Sequence, residues 1–277
     1  MQLKNRIKSI AIGSFDGIHL GHQALINQVE AVLIIERNEG VLTSGYRRSF
    51  YVNKPCFFYH FEKIQALNAK AFVEKINIDF PCLETIVIGY DFSFAYKKEG
   101  NAGLLKELFD GEVKIISEVS VENISVHSKI IKEYLGTGDI NMVSKLLGRP
   151  FRVEGRVVSG QGIGKKELVP TLNLSVKNYR LPKDGVYTSY TKIKNEWLLS
   201  VTFLGHRVTT DGSFAVESYV LDRDIGIVTG FIEIEFVKFI RENQKFNGLE
   251  ALKKQIQEDI LEVKKEKNEF RRVAKYN

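Results

Sequence analysis

The chain has little cysteine, and its two residues of this type, Cys56 and Cys82, lie far apart in the sequence. This spacing excludes a zinc knuckle and a paired redox motif, and two cysteines are too few for a disulfide framework. We therefore interpret both as packing residues. Proline is also scarce, at 5 residues, and the 44% of hydrophobic and 27% of charged residues are typical of a folded globular protein.

Long hydrophobic runs are absent as well. The N-terminal segment MQLKNRIKSIAIGSFDG reaches glycine and aspartate after a very short apolar stretch. Such a segment is too short for a membrane-spanning helix and lacks the pattern of a signal peptide. The sequence therefore predicts a cytoplasmic protein without a membrane partner.

The net charge of +6 and the pI of about 9.1 favour anionic partners, which include nucleic acids and phosphorylated small molecules. Much of the basic excess lies in the last segment, LEALKKQIQEDILEVKKEKNEFRRVAKYN, where acidic residues are interleaved and apolar residues recur at helical spacing. This pattern indicates a solvated helix face. Since no aromatic platform or known nucleic-acid module accompanies the basic residues, nucleic-acid binding is the less favoured interpretation.

A chain of 277 residues is long enough for two domains, and the change in pattern near Gly148 predicts a boundary between residues 1–148 and 149–277. In the first part, apolar runs alternate with helical patterns, which indicates a parallel α/β sheet. Its expected elements are a strand in KSIAIG, a helix from about Gly21 over GHQALINQVEAVL, further helices in FEKIQALNAKAFVEKI, AGLLKELF and SKIIKEYLGTGDINMVSKLLG, and an apolar run in TIVIGYDFSFAY.

The second part contains short β-rich runs separated by turns, which predict an antiparallel barrel closed by a C-terminal helix. These runs are RVEGRVVSG, PTLNLSV, GVYTSYTKI, WLLSVTFLG, FAVESYVL and GFIEIEFVKFI. The predicted fold class is therefore α/β plus β.

A first chemical motif, GSFDGIHLGH, occupies residues 13–22, where the first strand passes into the first helix. Amides at a helix start can hold an anion, and glycines let the backbone approach a phosphate closely. The imidazoles of His19 and His22 would add N–H donors where charge develops on a phosphoryl group. The alternative is a surface pair or two capped core histidines, but the spacing and the strand context favour the phosphate site.

This motif resembles that of the HxGH nucleotidyltransferase superfamily, and specifically its bacterial FAD synthetase branch, whose members join FMN phosphate to the adenylyl group of ATP. The resemblance implies that His19 and His22 contact the triphosphate and the transition state. It also implies an ATP site formed by Gly13, Phe15, Asp16, Gly17, Gly21, Ser128 and Lys132.

The segment IGYDFSF, residues 88–94, is similar to the family's GxDFxFG segment and implies a flavin contact by Asp91 and Phe92. The alternative is a buried strand that leads into a turn. Where the family carries a TFxPHP-like segment, this chain has LTSGYRR, so we predict that Arg47 or Arg48 makes the phosphate contact through paired guanidinium donors.

The family's ISSTxIR segment is represented by VHSKIIK, residues 126–132, which retains Ser128 and a basic residue at Lys132. Lysine keeps the charge but loses the bidentate geometry of arginine.

A second motif combines the glycine-rich run SGQGIGKK, residues 159–166, with PTLN at residues 170–173. It is neither a dinucleotide fingerprint nor a Walker loop, because proline and a β-rich run follow where a helix would begin. Glycines in such a loop can form a nest of amides for an anion. Taken alone, the run is also consistent with a flexible hairpin.

Together these segments resemble the riboflavin kinase signature, in which a glycine loop precedes a PTxN segment. The resemblance implies that Thr171 and Asn173 bind the Mg²⁺ carried by ATP, as hard oxygen ligands do. It also implies that the phosphates are covered by Gly160, Gly162, Gly164 and Lys165. The segment FAVESYVLD is similar to the family's VExHLLD segment, which implies that Glu217 is the general base. Arg207 falls in a further matching segment, and the resemblance implies that it lies near the flavin.

The two motifs occur in the order found in the bacterial bifunctional riboflavin kinase/FAD synthetase family. This resemblance implies phosphorylation of riboflavin to FMN and adenylylation of FMN to FAD with release of pyrophosphate, and we expect a monomer or weak oligomer. The alternatives are a riboflavin kinase with a degenerate nucleotidyltransferase domain and a flavin-binding regulatory protein. Salt-sensitive binding to nucleic acid would be required for the last.

Overall fold

The computed structural model describes residues 3–37, 41–159, 170–207 and 212–273. The chain forms two compact units, one of residues 1–131 with 146–148 and one of residues 132–145 with 149–277.

The first unit contains a five-stranded parallel sheet in the order β3-β2-β1-β4-β5. Its strands are β1 (Ser9–Gly13), β2 (Ala31–Glu36), β3 (Cys56–His60), β4 (Thr85–Gly89) and β5 (Glu112–Ile116), and a small hairpin follows in β6 (Ser120–Val121) and β7 (Ile124–Ser125). The helices of the first unit are α1 (Leu20–Ile26), α2 (Phe61–Ile64), α3 (Ala69–Asp79) and α4 (Ala102–Leu108). Helices α5 (Ser128–Thr137) and α6 (Ile140–Leu147) follow, and most of their residues cluster with the second unit. The predicted parallel α/β architecture is confirmed.

Both faces of the three central strands β2, β1 and β4 are buried, which explains why these strands are apolar runs. Along β1, Ile10 and Ile12 pack into one hydrophobic cluster, while Ala11 between them packs into another. The strand order reverses between β1 and β4, and ligands bind at such switch points, beyond the carboxyl ends of the strands. Gly13 and Gly89 are the last residues of these two neighbouring parallel strands, so the segments that follow them begin side by side at the carboxyl ends of the strands.

The first helix is shorter than the sequence pattern predicted. It ends at Ile26, and residues 31–33, which we expected in the helix, begin β2. Ala31, Val32 and Leu33 are fully buried in the middle of the sheet. A buried apolar run of this length is compatible in composition with a helix or with a strand. Pairing with β1 on one side and β3 on the other stabilises the strand.

The second unit is a closed antiparallel barrel in the order β10-β11-β12-β9-β8-β13, as predicted from its six β-rich runs. The strands are β8 (Phe151–Val158), β9 (Leu172–Ser175), β10 (Gly185–Ile193), β11 (Glu196–His206), β12 (Phe214–Val220) and β13 (Phe231–Arg241). The C-terminal helix α7 (Leu249–Val273) packs Ile260 and Val263 against an apolar cluster that includes Val186 and Leu199.

Within the described ranges, no helix combines the length and the apolar character that crossing a bilayer requires.

Candidate active sites

The loop between β1 and α1 has a strained backbone conformation that the packing of its side chains must stabilise. Phe15 and Ile18 have positive φ angles of 49° and 43°, which side chains other than glycine rarely adopt. Both are fully buried, and their packing offsets a strain of about 1–3 kcal/mol per residue. Between them, Gly17 has a φ of 89°, and a Cβ atom there would lie 2.8 Å from Leu42 Cδ1.

Asp16 holds this loop from the side. Its Oδ1 accepts hydrogen bonds from the backbone N–H groups of Leu42 at 2.7 Å and Thr43 at 3.2 Å. Its carbonyl oxygen accepts one from Ser128 Oγ at 2.8 Å. Thus Asp16 and Ser128, both predicted to bind ATP, fix the loop that carries the histidines. The other predicted ATP residue of α5, Lys132, lies in the stretch that clusters with the second unit.

The two histidines of the motif lie face to face at the start of α1. Their rings are stacked, with centroids 3.6 Å apart and planes at 19°. His19 caps the helix, because its Nδ1 accepts a hydrogen bond from the backbone N–H of His22. A neutral His19 therefore carries its proton on Nε2, where it can serve as a donor. A Cβ atom at Gly21 would lie 3.2 Å from the His19 ring, so glycine leaves room for this stack.

The surroundings of His22 favour its neutral form. Its Nδ1 is buried and has no hydrogen-bond partner among the described residues. Burial is the main cause that lowers the pKa of His22 well below its ordinary value, and electrostatic interactions with His19, Arg48 and His127 lower it further. A neutral imidazole donates one hydrogen bond through the ring nitrogen that carries the proton and accepts one through the other.

This lowered pKa predicts the sign of a pH effect on stability. Above pH 6.5, neither the folded nor the unfolded chain protonates His22, so this residue adds no pH dependence. Below pH 6.5, the unfolded chain takes up a proton that the folded chain excludes, and folding stability is lost. We therefore expect the free energy of unfolding, from denaturant titrations at several pH values, to fall more steeply with acid in wild type than in His22→Gln. Equal slopes would show that His22 is not held neutral.

The segment that replaces TFxPHP forms a 3₁₀ turn over Gly45–Tyr51 and places its two arginines differently. Arg48 is 1% exposed, and its Nη1 lies 3.9 Å from Glu36 Oε1. Its positive charge contributes to the lowered pKa of His22. Arg47 is more accessible, and its guanidinium lies over the rings of the exposed Tyr46 and Phe50.

A third histidine, His127, belongs to this site and was missed from the sequence. Its Nε2 lies 2.7 Å from Tyr90 Oη and 3.3 Å from Glu118 Oε1, and Tyr90 Oη donates to Glu118 Oε1 at 2.8 Å. Since Tyr90 uses its proton on Glu118, Nε2 of His127 is the donor to Tyr90. The other ring nitrogen, Nδ1, lies 3.9 Å from the exposed Asp91 Oδ2. The signal in the sequence was a histidine in place of the first serine of ISSTxIR.

Asp91 and Phe92, the predicted flavin contacts, follow the end of β4. Asp91 is exposed next to His127, whereas the half-buried Phe92 stacks on Phe94 with centroids 5.6 Å apart. Phe92 also packs against the hydrophobic core. The structure thus brings Asp91 to the histidine site and gives Phe92 a packing contact.

The barrel unit brings together the residues predicted for the kinase step. Glu217 of β12 lies directly opposite Asn173 of β9. Thr171 Oγ1 lies 3.5 Å from Glu217 Oε2. Arg207 donates from Nε to Glu217 Oε1 at 2.6 Å and from Nη2 to Asn173 Oδ1 at 2.7 Å. Side-chain oxygens of three residues therefore lie close together beside β9 and β12.

The predicted phosphate loop of this unit, with Gly160, Gly162, Gly164 and Lys165, lies outside the described residues.

Comparisons with known families match both units. The family model described as FAD synthetase matches residues 1–42 and 48–130, and the one described as riboflavin kinase (Flavokinase) matches residues 147–266. A protein of Buchnera aphidicola subsp. Acyrthosiphon pisum, named bifunctional riboflavin kinase/FMN adenylyltransferase, is 32% identical over 92% of each chain. A protein of the same name from Listeria monocytogenes is 29% identical, over 91% of this chain and 90% of its own.

Among solved structures, one titled as a macrolide-efflux protein from Streptococcus pneumoniae superposes with a TM-score of 0.80. It covers 95% of this chain and 97% of its own at 24% identity, which supports the fold alone.

Proposed function

Because this chain belongs to the bifunctional riboflavin kinase/FMN adenylyltransferase family, we propose that it phosphorylates riboflavin in the barrel unit and adenylylates the resulting FMN in the parallel-sheet unit. The observation that carries this proposal is the presence of a separate polar constellation in each unit: the stacked histidines in the first and the oxygens around Glu217 in the second. We assign residues 1–148 to the adenylyl transfer and residues 149–277 to the kinase step.

In the kinase step, Glu217 accepts the proton of the terminal ribityl hydroxyl as that oxygen attacks the γ-phosphorus of ATP. The new O–P bond gives FMN, and the bond that breaks releases ADP. Positioning and electrostatics supply most of the acceleration in phosphoryl transfer, and a base adds to it. The register that places Glu217 opposite Asn173 supports this role, since it holds the base beside the proposed metal ligand.

The oxygens near Glu217 suit magnesium. Hydroxyl and amide oxygens from Thr171 and Asn173 are hard ligands, and magnesium is usually bound by few protein groups together with substrate phosphates. When bound with ATP, the ion neutralises charge on the transferred phosphoryl group. Thr171 and Asn173 would hold it through Oγ1 and Oδ1.

Replacement of Thr171 by alanine tests this assignment. We expect the magnesium concentration for half-maximal FMN formation to rise roughly tenfold or more, because metal affinity falls by that order when supporting groups are removed. The measurement is the rate of FMN formation against magnesium at fixed ATP, with Thr171→Ser as the matched control that keeps the hydroxyl. A magnesium dependence equal to that of wild type would remove Thr171 from the site.

In the adenylyl transfer, the FMN phosphate oxygen attacks the α-phosphorus of ATP, and the bond to pyrophosphate breaks. His19 and His22 donate hydrogen bonds to the oxygens that gain charge, which lowers the barrier without a covalent intermediate. Arg47, with its accessible guanidinium, suits the FMN phosphate, whereas the buried Arg48 acts through its charge near His22. Asp91 beside His127 supports a flavin contact at the same edge of the sheet.

The products distinguish the two half-reactions. Riboflavin with ATP should yield FMN and ADP, and added FMN with ATP should yield FAD and pyrophosphate. Chromatography of the flavins together with assays of ADP and pyrophosphate tests each half separately. Formation of FMN and ADP without any FAD or pyrophosphate would favour a riboflavin kinase whose first unit has lost adenylyl transfer.

A further inference from the structure

Arg207 follows β11 directly and connects three segments of the barrel through its side chain. Each of its three guanidinium nitrogens donates to a different residue. Nε binds Glu217 Oε1 at 2.6 Å, Nη2 binds Asn173 Oδ1 at 2.7 Å, and Nη1 binds Ser213 Oγ at 2.8 Å. The side chain is therefore held by its own barrel at every donor nitrogen.

The burial of this arrangement makes it stronger than a surface ion pair. The side chains of Arg207 and Glu217 are 18% and 22% exposed, so solvent screens their attraction only in part. Charge-assisted hydrogen bonds at these distances are also about twice as strong as neutral ones. Such contacts fix the rotamer of the carboxylate and not only its charge.

The two oxygens of Glu217 have different surroundings. Oε1 is bound tightly by Arg207, whereas Oε2 has Thr171 Oγ1 at the long distance of 3.5 Å. A carboxylate oxygen with a weak partner is the one that can accept a further proton. The arginine thus selects which oxygen faces the reaction.

We propose that Arg207 is a positioning residue of the kinase step, which orients Glu217 through Oε1 so that Oε2 takes the proton of the attacking hydroxyl. This role rests on the proposed function of Glu217 as the base. The proton passes from the ribityl hydroxyl to Oε2, the oxygen bonds to the γ-phosphorus, and ADP leaves with the electrons of the broken bond. Arg207 also holds Asn173 in line with the base, through the second branch of the same planar group.

This role predicts an effect on turnover and not on flavin affinity. In Arg207→Gln, we expect kcat for FMN formation to fall about 100-fold, the cost of a misplacement of about 1 Å in a catalytic site. The dissociation constant of riboflavin, measured by fluorescence quenching without ATP, should stay within about twofold of wild type, since the contacts of Arg207 are with protein groups. Arg207→Lys keeps the positive charge but loses the planar, forked set of donors of the guanidinium group, and its kcat should lie between those of wild type and Arg207→Gln.

The matched control is Arg152→Gln, which breaks an ion pair of similar length and burial between β8 and β13 of the same barrel, with Arg152 Nε 2.7 Å from Glu235 Oε2. We expect its kcat to equal that of wild type, and thermal denaturation compares the stability of all variants. An unchanged kcat in Arg207→Gln would overturn the positioning role. So would a riboflavin dissociation constant that rises about tenfold or more at unchanged kcat, because that result assigns Arg207 to flavin binding.

If Arg207→Gln does not fold, Arg207→Lys decides alone. A lowered kcat at unchanged riboflavin affinity supports the role, and an unchanged kcat overturns it. If the wild-type protein binds riboflavin but forms no FMN, the proposed kinase function and the positioning role are both overturned. This outcome is distinguishable from the preceding ones, in which wild type is active and only the variants are compared with it.

Discussion

Glu217→Gln should lower the rate of FMN formation by roughly 100-fold or more, since a positioned general base contributes at least that factor. Glutamine keeps the shape of the side chain and can still accept a hydrogen bond from Arg207 Nε, but its amide cannot take a proton. The Michaelis constants for riboflavin and ATP should change little, because the base acts on the transition state and not on binding.

The same variant should convert added FMN to FAD at the wild-type rate, because Glu217 lies in the barrel unit alone. Glu233→Gln is the matched control, since Glu233 is another barrel carboxylate and pairs with Lys192. The measurement follows FMN from riboflavin and FAD from FMN in separate reactions at saturating Mg-ATP. Turnover of riboflavin at the rate of the Glu233→Gln control would exclude Glu217 as the base.

His22→Ala should have the opposite pattern. We expect FAD formation from FMN to fall about 100-fold or more, the cost of removing a preorganised donor at a developing charge. The stack of His19 and His22 is lost with it, so His19 also loses part of its orientation. FMN formation from riboflavin should continue at the wild-type rate, because the kinase step is assigned to the barrel unit, and circular dichroism compares the folding of the variant with that of wild type.

A second substitution separates the charge from the donor. His22→Gln retains an N–H group at a similar position but cannot become cationic, so it should recover part of the FAD rate if neutral His22 acts as a donor. The neutral state is consistent with the low pKa of His22. FAD formation in His22→Ala that equals wild type would refute the role of this histidine.

The sequence predicted helices and strands well where the apolar residues recur with a single period, either that of a helix or that of a strand. The barrel strands β8, β9 and β13 alternate in burial along most of their length, so these β-rich runs predicted strands. The segment from Gly21 to Leu33 was less informative, since an apolar run that is buried on both sides satisfies helix and strand alike. Sheet pairing, which is not encoded locally, ended the helix at Ile26.

The sequence predicted only part of each candidate site, because local spacing indicates contacts between neighbours in the chain and not contacts between distant segments. His19 and His22 are neighbours on one helix turn, so their contact follows from local spacing. The contacts of His127 with Tyr90 and Glu118 depend on how β4 and the segment after β5 lie at one edge of the sheet. The three bonds of Arg207 likewise require β9, β11 and β12 to be assembled.

The arginines of the divergent segment show a further limit. Arg47 and Arg48 are equivalent by sequence, yet one lies over exposed aromatic rings and the other is buried beside Glu36. The FAD synthetase family model also breaks here, between residues 42 and 48. The segment that carries the two arginines thus differs from the family pattern, and its local sequence did not indicate which arginine is buried.

The central claim is that one chain carries two successive ATP-dependent reactions in two units, and a single time course tests it most directly. The full-length protein is incubated with riboflavin and excess Mg-ATP, and riboflavin, FMN, FAD, ADP and pyrophosphate are quantified in the same samples. We predict that FMN appears first, that FAD follows, and that each FAD formed is accompanied by one ADP and one pyrophosphate. Accumulation of FMN and ADP with no FAD or pyrophosphate, from riboflavin or from added FMN, would contradict the account.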